Sequence, residues 1–389
     1  MTDFNENVCL CALNRLLGNV PLAGKALIEH YGCAKAVFDA SQDEMRHLLG
    51  SLAGGRAEPE TRMDLAACIG PRALEESAAE LDKLARMGGR FIGYEDEDYP
   101  SMLRECPDCP IGIYVRSGGP VTGIFEMKPC VAVVGTRDIS PYGKEWCVRL
   151  VRAMATTKRP PVIVSGLAYG ADAVAHATAL ECGMGTVAVM ATGMDDIYPF
   201  SHRDLSERIV ADPCGALLTD YPFGSSPVAL NFVRRNRIIA GLSIATIVIE
   251  SKQKGGSLLT AKYAVDYNRD VYALPGRIDD YRSAGCNSLI DRGMASIIAS
   301  PDELVEKLGL GGMKTRIRED LEGVLIRKYG SGSAPARIGM LIKQNRGASY
   351  DALAAMSGLS WSEVSGAAGV LESDGIITTD FLQRCSIKP

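Results

Sequence analysis

Between residues 130 and 166 the chain reads CVAVVG (130–135), then PYGKEWCVRLVRAMA (141–155), then PVIVSG (161–166). The first and last pieces are unbroken apolar runs without polar alternation, the pattern of strands covered on both faces. The middle piece spaces its apolar residues as an amphipathic helix does, and Ser140 before Pro141 is a natural helix start, a capping hydroxyl followed by a first-turn proline. A strand, a crossover helix and a second strand make one unit of a parallel sheet. The rhythm continues through GTVAVMATG, ALLTDY, ATIVIE, DVYALPG and ASIIAS, each separated by helical or loop sequence. The expected fold class is therefore α/β, with a doubly wound, mostly parallel Rossmann-like sheet at residues 91–308.

On either side of this block the pattern changes. Residues 1–90 read as short helices joined by turns, with Gly18 and Pro21 as breakers and Ser41 with Glu44 as a capping box. Residues 309–334, which run into the stretch GSGSAPA (330–336), read as a linker. Residues 335–389 read as three helices followed by a hairpin, a winged-helix-like module. Its WSEVSGAAGVLESDG segment holds no Lys or Arg but carries Glu363, Glu372 and Asp374, which suits a protein contact better than a duplex groove.

Composition narrows the classes. With 47% hydrophobic and 23% charged residues the chain fits a water-soluble globular protein, and no apolar run reaches the ~18 residues of a membrane span. The acidic start MTDFNENVCL lacks a basic signal-peptide region, so the expected location is cytoplasmic, without membrane association. Twelve cysteines are then expected to be reduced and buried. The Cys106-Pro-Asp-Cys109 pair lacks a second ligand pair nearby, so a proline-rich loop is expected and no metal.

The strand ends are richer in chemistry than the strands. They carry Gly135-Thr136-Arg137, Ser165-Gly166, Thr192-Gly193, Gly224, Gly256-Ser257 and Gly276. In an open α/β sheet these turns share one edge, where glycine lets backbone N–H groups approach an anion. Arg137 reads either as the cation of a phosphate cradle or as an exposed arginine on an ordinary turn. No G-x-x-x-x-G-K-[ST] occurs, nor a G-x-G-x-x-G between strand and helix, so neither an ATP nor an NAD cofactor is expected. Asp172 and His176, four apart on a helix, read as a helix-start carboxylate and a packed histidine rather than an acid–base pair. Phe200, His202 and Arg203 share a loop, and an aromatic beside a cation can hold an unpaired base and its phosphate.

The net charge is -5, yet NFVRRNRIIAGLS (231–243) crowds Arg234, Arg235 and Arg237 into four positions. If the helix begins near Asn236, these cations lie against the positive end of its dipole, and a bound anion would relieve the conflict. Salt bridges to Asp204, Asp220 or Glu250 are the alternative for one of them.

Taken together, VVGTR, SGLAYGADAVAH, TGMDDIYP, FVRRNRIIAGLS, IVIESKQKGGSLLTAKYA, RDVYALPG and GCNSLIDRG resemble, in this order, the DNA-processing protein A (DprA, or Smf) family. The resemblance implies a non-catalytic protein that binds single-stranded DNA as a homodimer and loads RecA recombinase during natural transformation. The expected nucleic-acid contacts are Gly135, Thr136, Arg137, Ser165, Gly166, Phe200, Arg203, Arg235, Asn236, Arg237, Gly256 and Ser257; of these the resemblance carries over Arg137 and the Arg235-Asn236-Arg237 signature beside Gly256-Ser257, and it implies no catalytic residue. This chain departs from the family in having Phe200 where a lysine is usual and Val233 in place of a proline. The rival class is a nucleoside-monophosphate phosphoribohydrolase on a similar sheet. Its PGGxGTxxE motif is matched here only by Gly255-Gly256-Ser257, and Tyr263 lies near where the glutamate would be.

Overall fold

A computed structural model describes residues 4–52, 65–311, 321–345, 347–380 and 383–387. Nine strands form the central sheet: β1 (Gly89–Gly93), β2 (Gly112–Ser117), β3 (Cys130–Val134), β4 (Val162–Ser165), β5 (Thr186–Val189), β6 (Ala216–Thr219), β7 (Ala245–Val248), β8 (Asp270–Ala273) and β9 (Ser296–Ile297). Their order is β1-β2-β6-β5-β4-β3-β7-β8-β9. From β6 to β9 every pairing is parallel, while β2 joins β6 and β1 joins β2 antiparallel. The doubly wound, mostly parallel sheet read from the apolar runs is thus present, with an antiparallel extension at one edge.

Alternation within each strand divides the core. Ala132 and Val134 face one layer with Val164, Val189 and Val248, whereas Val131 and Val133 face the other with Ile163, Ala245 and Ile247. Both layers are buried, as the absence of polar alternation requires. The helix Pro141–Ala155 starts where the sequence places it, with the Ser140 hydroxyl accepting from Gly143 N–H at 3.0 Å.

The front helices do not stand alone. Leu10, Leu13 and Leu17 of the helix Glu6–Leu17 share a buried cluster with Phe91, Tyr114, Ala188 and Leu217 of the sheet. Residues up to Met313 accordingly form one compact unit, and Lys314–Pro389 form a second. In the second unit, the stretch expected as a linker contains the helix Leu321–Tyr329, whose Leu325 is fully buried in the C-terminal core. Leu325 supplies the burial that makes this segment structural rather than a spacer. Helices Ala334–Gln344, Tyr350–Ser357 and Trp361–Ser373 follow, together with a three-stranded antiparallel sheet, β10 (Ala348–Ser349), β12 (Arg384–Ile387) and β11 (Ile377–Thr379) in that spatial order.

Strand order reverses at β3. The chain winds from β3 through β4 and β5 to β6 on one side, then crosses by the helix Ala229–Gly241 to β7 on the other. Such a switch point leaves a crevice beyond the carboxyl ends of the two central strands.

Candidate nucleic-acid interface

The crevice is a cleft of about 590 Å³. One wall is the turn after β3, with Gly135, Thr136, Arg137 and Asp138, and the opposite wall is the turn after β7, with Ser251, Lys252, Gly255, Gly256 and Ser257. Phe232, Arg235 and Asn236 of the crossover helix line the cleft between them, with Tyr198 and Asp172.

Arg137 is exposed at the mouth. Its guanidinium lies 5.0 Å from the centre of the Phe232 ring, and no carboxylate among the described residues pairs with it. Phe232 in turn meets Tyr198 edge-on, with ring centres 5.5 Å apart. Across the cleft Asn236 donates to Gly256 O at 3.4 Å, tying the crossover helix to the Gly-Gly turn. The helix Ser257–Asp266 follows that turn without a side-chain cap. A cation, two aromatic rings and a helix N-terminus in one opening form a surface receptive to a phosphodiester and its bases.

Beneath the cleft, Arg235 is 4% exposed and donates through one nitrogen to the carbonyls of Gly166, at 2.7 Å, and of Val189. A Cβ on Gly166 would stand 2.5 Å from that guanidinium, so this position tolerates glycine alone without displacing a buried cation. Burial lowers the Arg235 pKa to about 10, with Asp172 opposing the shift and Arg137 adding to it. Asp172 accepts N–H bonds from Gly166 at 3.1 Å and Ala168 at 3.3 Å. Burial raises its carboxyl above the usual range, partly offset by Arg235. His176 is fully buried against the Thr186 hydroxyl at 2.7 Å, and burial holds its pKa down to about 3. The pair is therefore a loop-fixing carboxylate and a packed neutral histidine, in line with the non-catalytic reading of those two residues. Gly170, at φ +76°, sits over the Thr136 and Arg137 carbonyls, where a Cβ would come within 2.3 Å, and so lets the two turns touch.

Three expectations need correction. The crossover helix begins at Ala229, so Arg234, Arg235 and Arg237 lie in its middle and do not oppose its dipole at the amino end. Arg237 does not line the cleft: it is 7% exposed, paired with Asp220 at 2.6 Å, and also donates to the Asp108 carbonyl. Ser165 is fully buried and donates to the Val133 carbonyl at 2.6 Å, so its hydroxyl is spent inside the sheet. Three of the expected contacts, Ser165, Arg235 and Arg237, thus serve the fold.

Phe200 and Arg203 are exposed but line a separate cavity of about 400 Å³ with Asp195, Asp196 and Glu207. The guanidinium of Arg203 is 6.0 Å from the Phe200 ring centre. The Cys106–Cys109 loop is a turn with both cysteines buried, and it serves to hold Arg237 through Asp108. No group of three or more metal-ligating side chains occurs among the described residues. Sequence reading passed over Phe232, Tyr198 and Lys252 as site residues. The only available hint was their position next to arginine or glycine turns, which becomes informative once the switch point is known.

The fold and the cleft define an α/β protein with a cation and glycine turns set at a topological switch point. Residues 90–309 match the family described as DNA recombination-mediator protein A. The chain is 35% identical over 305 residues to the protein Smf of Synechocystis sp., which covers 78% of this chain and 73% of that protein. The X-ray structure of DNA processing protein A from Streptococcus pneumoniae superposes with a TM-score of 0.64 at 30% identity, covering 78% of this chain and 98% of that one. A structure of DNA processing protein A from Helicobacter pylori, described for its single-stranded DNA binding mode, gives a TM-score of 0.50 at 28% identity, covering 57% and 95%. The chain belongs to the DNA recombination-mediator protein A family, also called DprA or Smf, a family of DNA-processing proteins. No helix among the described residues is long and apolar enough to cross a membrane.

Proposed function

We propose that this protein binds single-stranded DNA in the switch-point cleft, without strong sequence preference and without catalysing a reaction on it. The observation that carries the reading is Arg137, an exposed guanidinium at the cleft mouth, packed on Phe232 and without an internal carboxylate partner among the described residues. A phosphate fits its free face, and Phe232 and Tyr198 offer stacking surfaces to bases of any identity. Gly135, Thr136, Asn236, Gly256 and Ser257 complete the cleft wall, with Lys252 as a second cation. Arg235 acts from below, as a buried positive charge that fixes the Gly166 turn.

The resemblance to the family extends the proposal to a homodimer that hands single strands to RecA recombinase in the cytoplasm during natural transformation. The proposal includes a winged-helix reading of the C-terminal unit, which its order of three helices and a small antiparallel sheet supports. Its helix Trp361–Ser373, lacking Lys and Arg, suits a protein partner.

Oligo-dT binding at two salt concentrations tests the core of this reading. Arg137→Ala should weaken binding and reduce the slope of log K against log salt by about 0.7, the loss of one single-strand phosphate contact. Unchanged affinity and slope would reject the assignment, as would a preference for duplex over single strand in a parallel gel shift. Incubation with AMP separates the enzyme alternative, since release of free adenine would overturn the non-catalytic reading. Asp172, a buried carboxylate in the cleft lining, already accepts N–H bonds from Gly166 and Ala168.

A further inference from the structure

We propose that a strand held in the cleft continues past Lys252 and stacks its next base on the ring of Tyr281. This inference rests on the single-strand reading above.

Tyr281 lies in the loop between β8 and the helix Ala284–Asp291, and is 51% exposed. An exposed tyrosine is ordinary, but this one is tied to the cleft on two sides. Its hydroxyl donates to Asp138 Oδ2 at 3.1 Å, and Asp138 adjoins Arg137 in the cleft wall. The Lys252 ammonium, also in the cleft wall, lies 5.1 Å from its ring centre. Arg282 completes the arrangement: its guanidinium is 4.6 Å from the ring centre and bonds the Asp138 carboxylate at 3.0 Å. The ring is therefore held in orientation by a hydrogen bond at its edge; of the two cations over it, Asp138 fixes Arg282, and Lys252 has no ion-pair partner among the described residues.

That is the composition of a single-strand platform, an aromatic face flanked by positive charge within reach of the backbone. A base settling on the ring would displace an ammonium that no carboxylate among the described residues holds, leaving Lys252 free to meet the adjoining phosphate. Arg277 in the same loop is unsuited to this role, because Asp279 takes its guanidinium with two bonds, at 2.9 and 2.8 Å. Ile278, 98% exposed beside it, adds apolar surface to the same loop.

The test is oligo-dT binding by fluorescence anisotropy at two salt concentrations. Tyr281→Ala should weaken binding about tenfold, the loss of one stacked base, with the salt slope unchanged. Tyr281→Phe should retain most of the affinity, and Tyr281→Trp should bind and show quenching of its emission as the oligonucleotide is added. Wild-type affinity in Tyr281→Ala, or an unquenched tryptophan at full occupancy, overturns the inference while leaving the cleft reading intact. A salt slope lowered by about 0.7 also overturns it, since the ring would then serve only to position a phosphate-binding cation. If the unaltered protein fails to bind oligo-dT, the single-strand reading falls and this inference falls with it.

Discussion

The turn after β3 and the middle of the crossover helix carry the same side chain to opposite ends. Arg137 lies beyond the last sheet hydrogen bond, where the chain emerges at the strand end, and its guanidinium stays in water against Phe232. Arg235 and Arg237 sit on a helix packed over the sheet, and each is more than nine-tenths buried among fixed acceptors. A guanidinium is free to meet an external anion only where the fold has not already supplied its acceptors. Arginine density in the sequence therefore overstates the binding surface, and position relative to the sheet edge corrects it.

The largest effect is expected at the buried arginine. Arg237→Ala should destabilise the protein by about 3–5 kcal/mol in denaturant unfolding, because Asp220 is left as an unpaired buried charge. Replacing both partners with apolar residues of similar size should restore much of that loss. If Arg237→Ala were neutral for stability and damaging for oligonucleotide binding, the assignment of this arginine to the fold would be wrong.

Acidification probes the same interior. His176 is held neutral when folded, with a pKa of about 3 against 6.5, so its contribution is complete above pH 6.5 and drains away as the pH falls toward 3. The loss should reach about 2 kcal/mol by pH 5. Asp172 has the opposite sign, since its raised pKa favours the folded state on the acid side and that gain is lost as pH rises through the shifted value. Comparing wild type with His176→Gln isolates the histidine, and the difference in unfolding free energy should shrink as pH is lowered from 7 to 5. A difference that does not change with pH would show that the ring takes up its proton in place.

Gly166→Ala tests the boundary between the two regions. Its new Cβ would press on the Arg235 guanidinium, and a cost of about 1–3 kcal/mol is expected in thermal or denaturant unfolding. On the exposed side, Arg137→Ala should change stability by no more than about 0.5 kcal/mol, so that its effect is confined to binding. An Arg137 variant that unfolds early would place this arginine with the other two.

Much of the architecture was legible because its cause is local. Short, β-branched apolar runs bounded by glycine or proline fit strands covered on both faces, and glycine turns after them mark the edge where a ligand can approach. Ser140 with Pro141 marked a helix start for the same reason, since a cap needs only its neighbours three residues away. The start of the crossover helix was missed because Val228 offers no capping side chain, and the helix is instead fixed by its packing over the sheet. The helix Leu321–Tyr329 was hidden in the same way, within a stretch whose glycines and serines read as a spacer.

The parallel sheet, the glycine-rich edge and the place of Arg137 on that edge follow from the order of residues alone, because strand burial and turn conformation depend on residues close together in the chain. Which arginines remain free emerges from long-range packing, because their acceptors come from afar. Gly166 lies 69 residues from Arg235, and Asp108 lies 129 from Arg237. A side chain's charge is written in the sequence, but whether that charge is already satisfied depends on what the fold brings beside it.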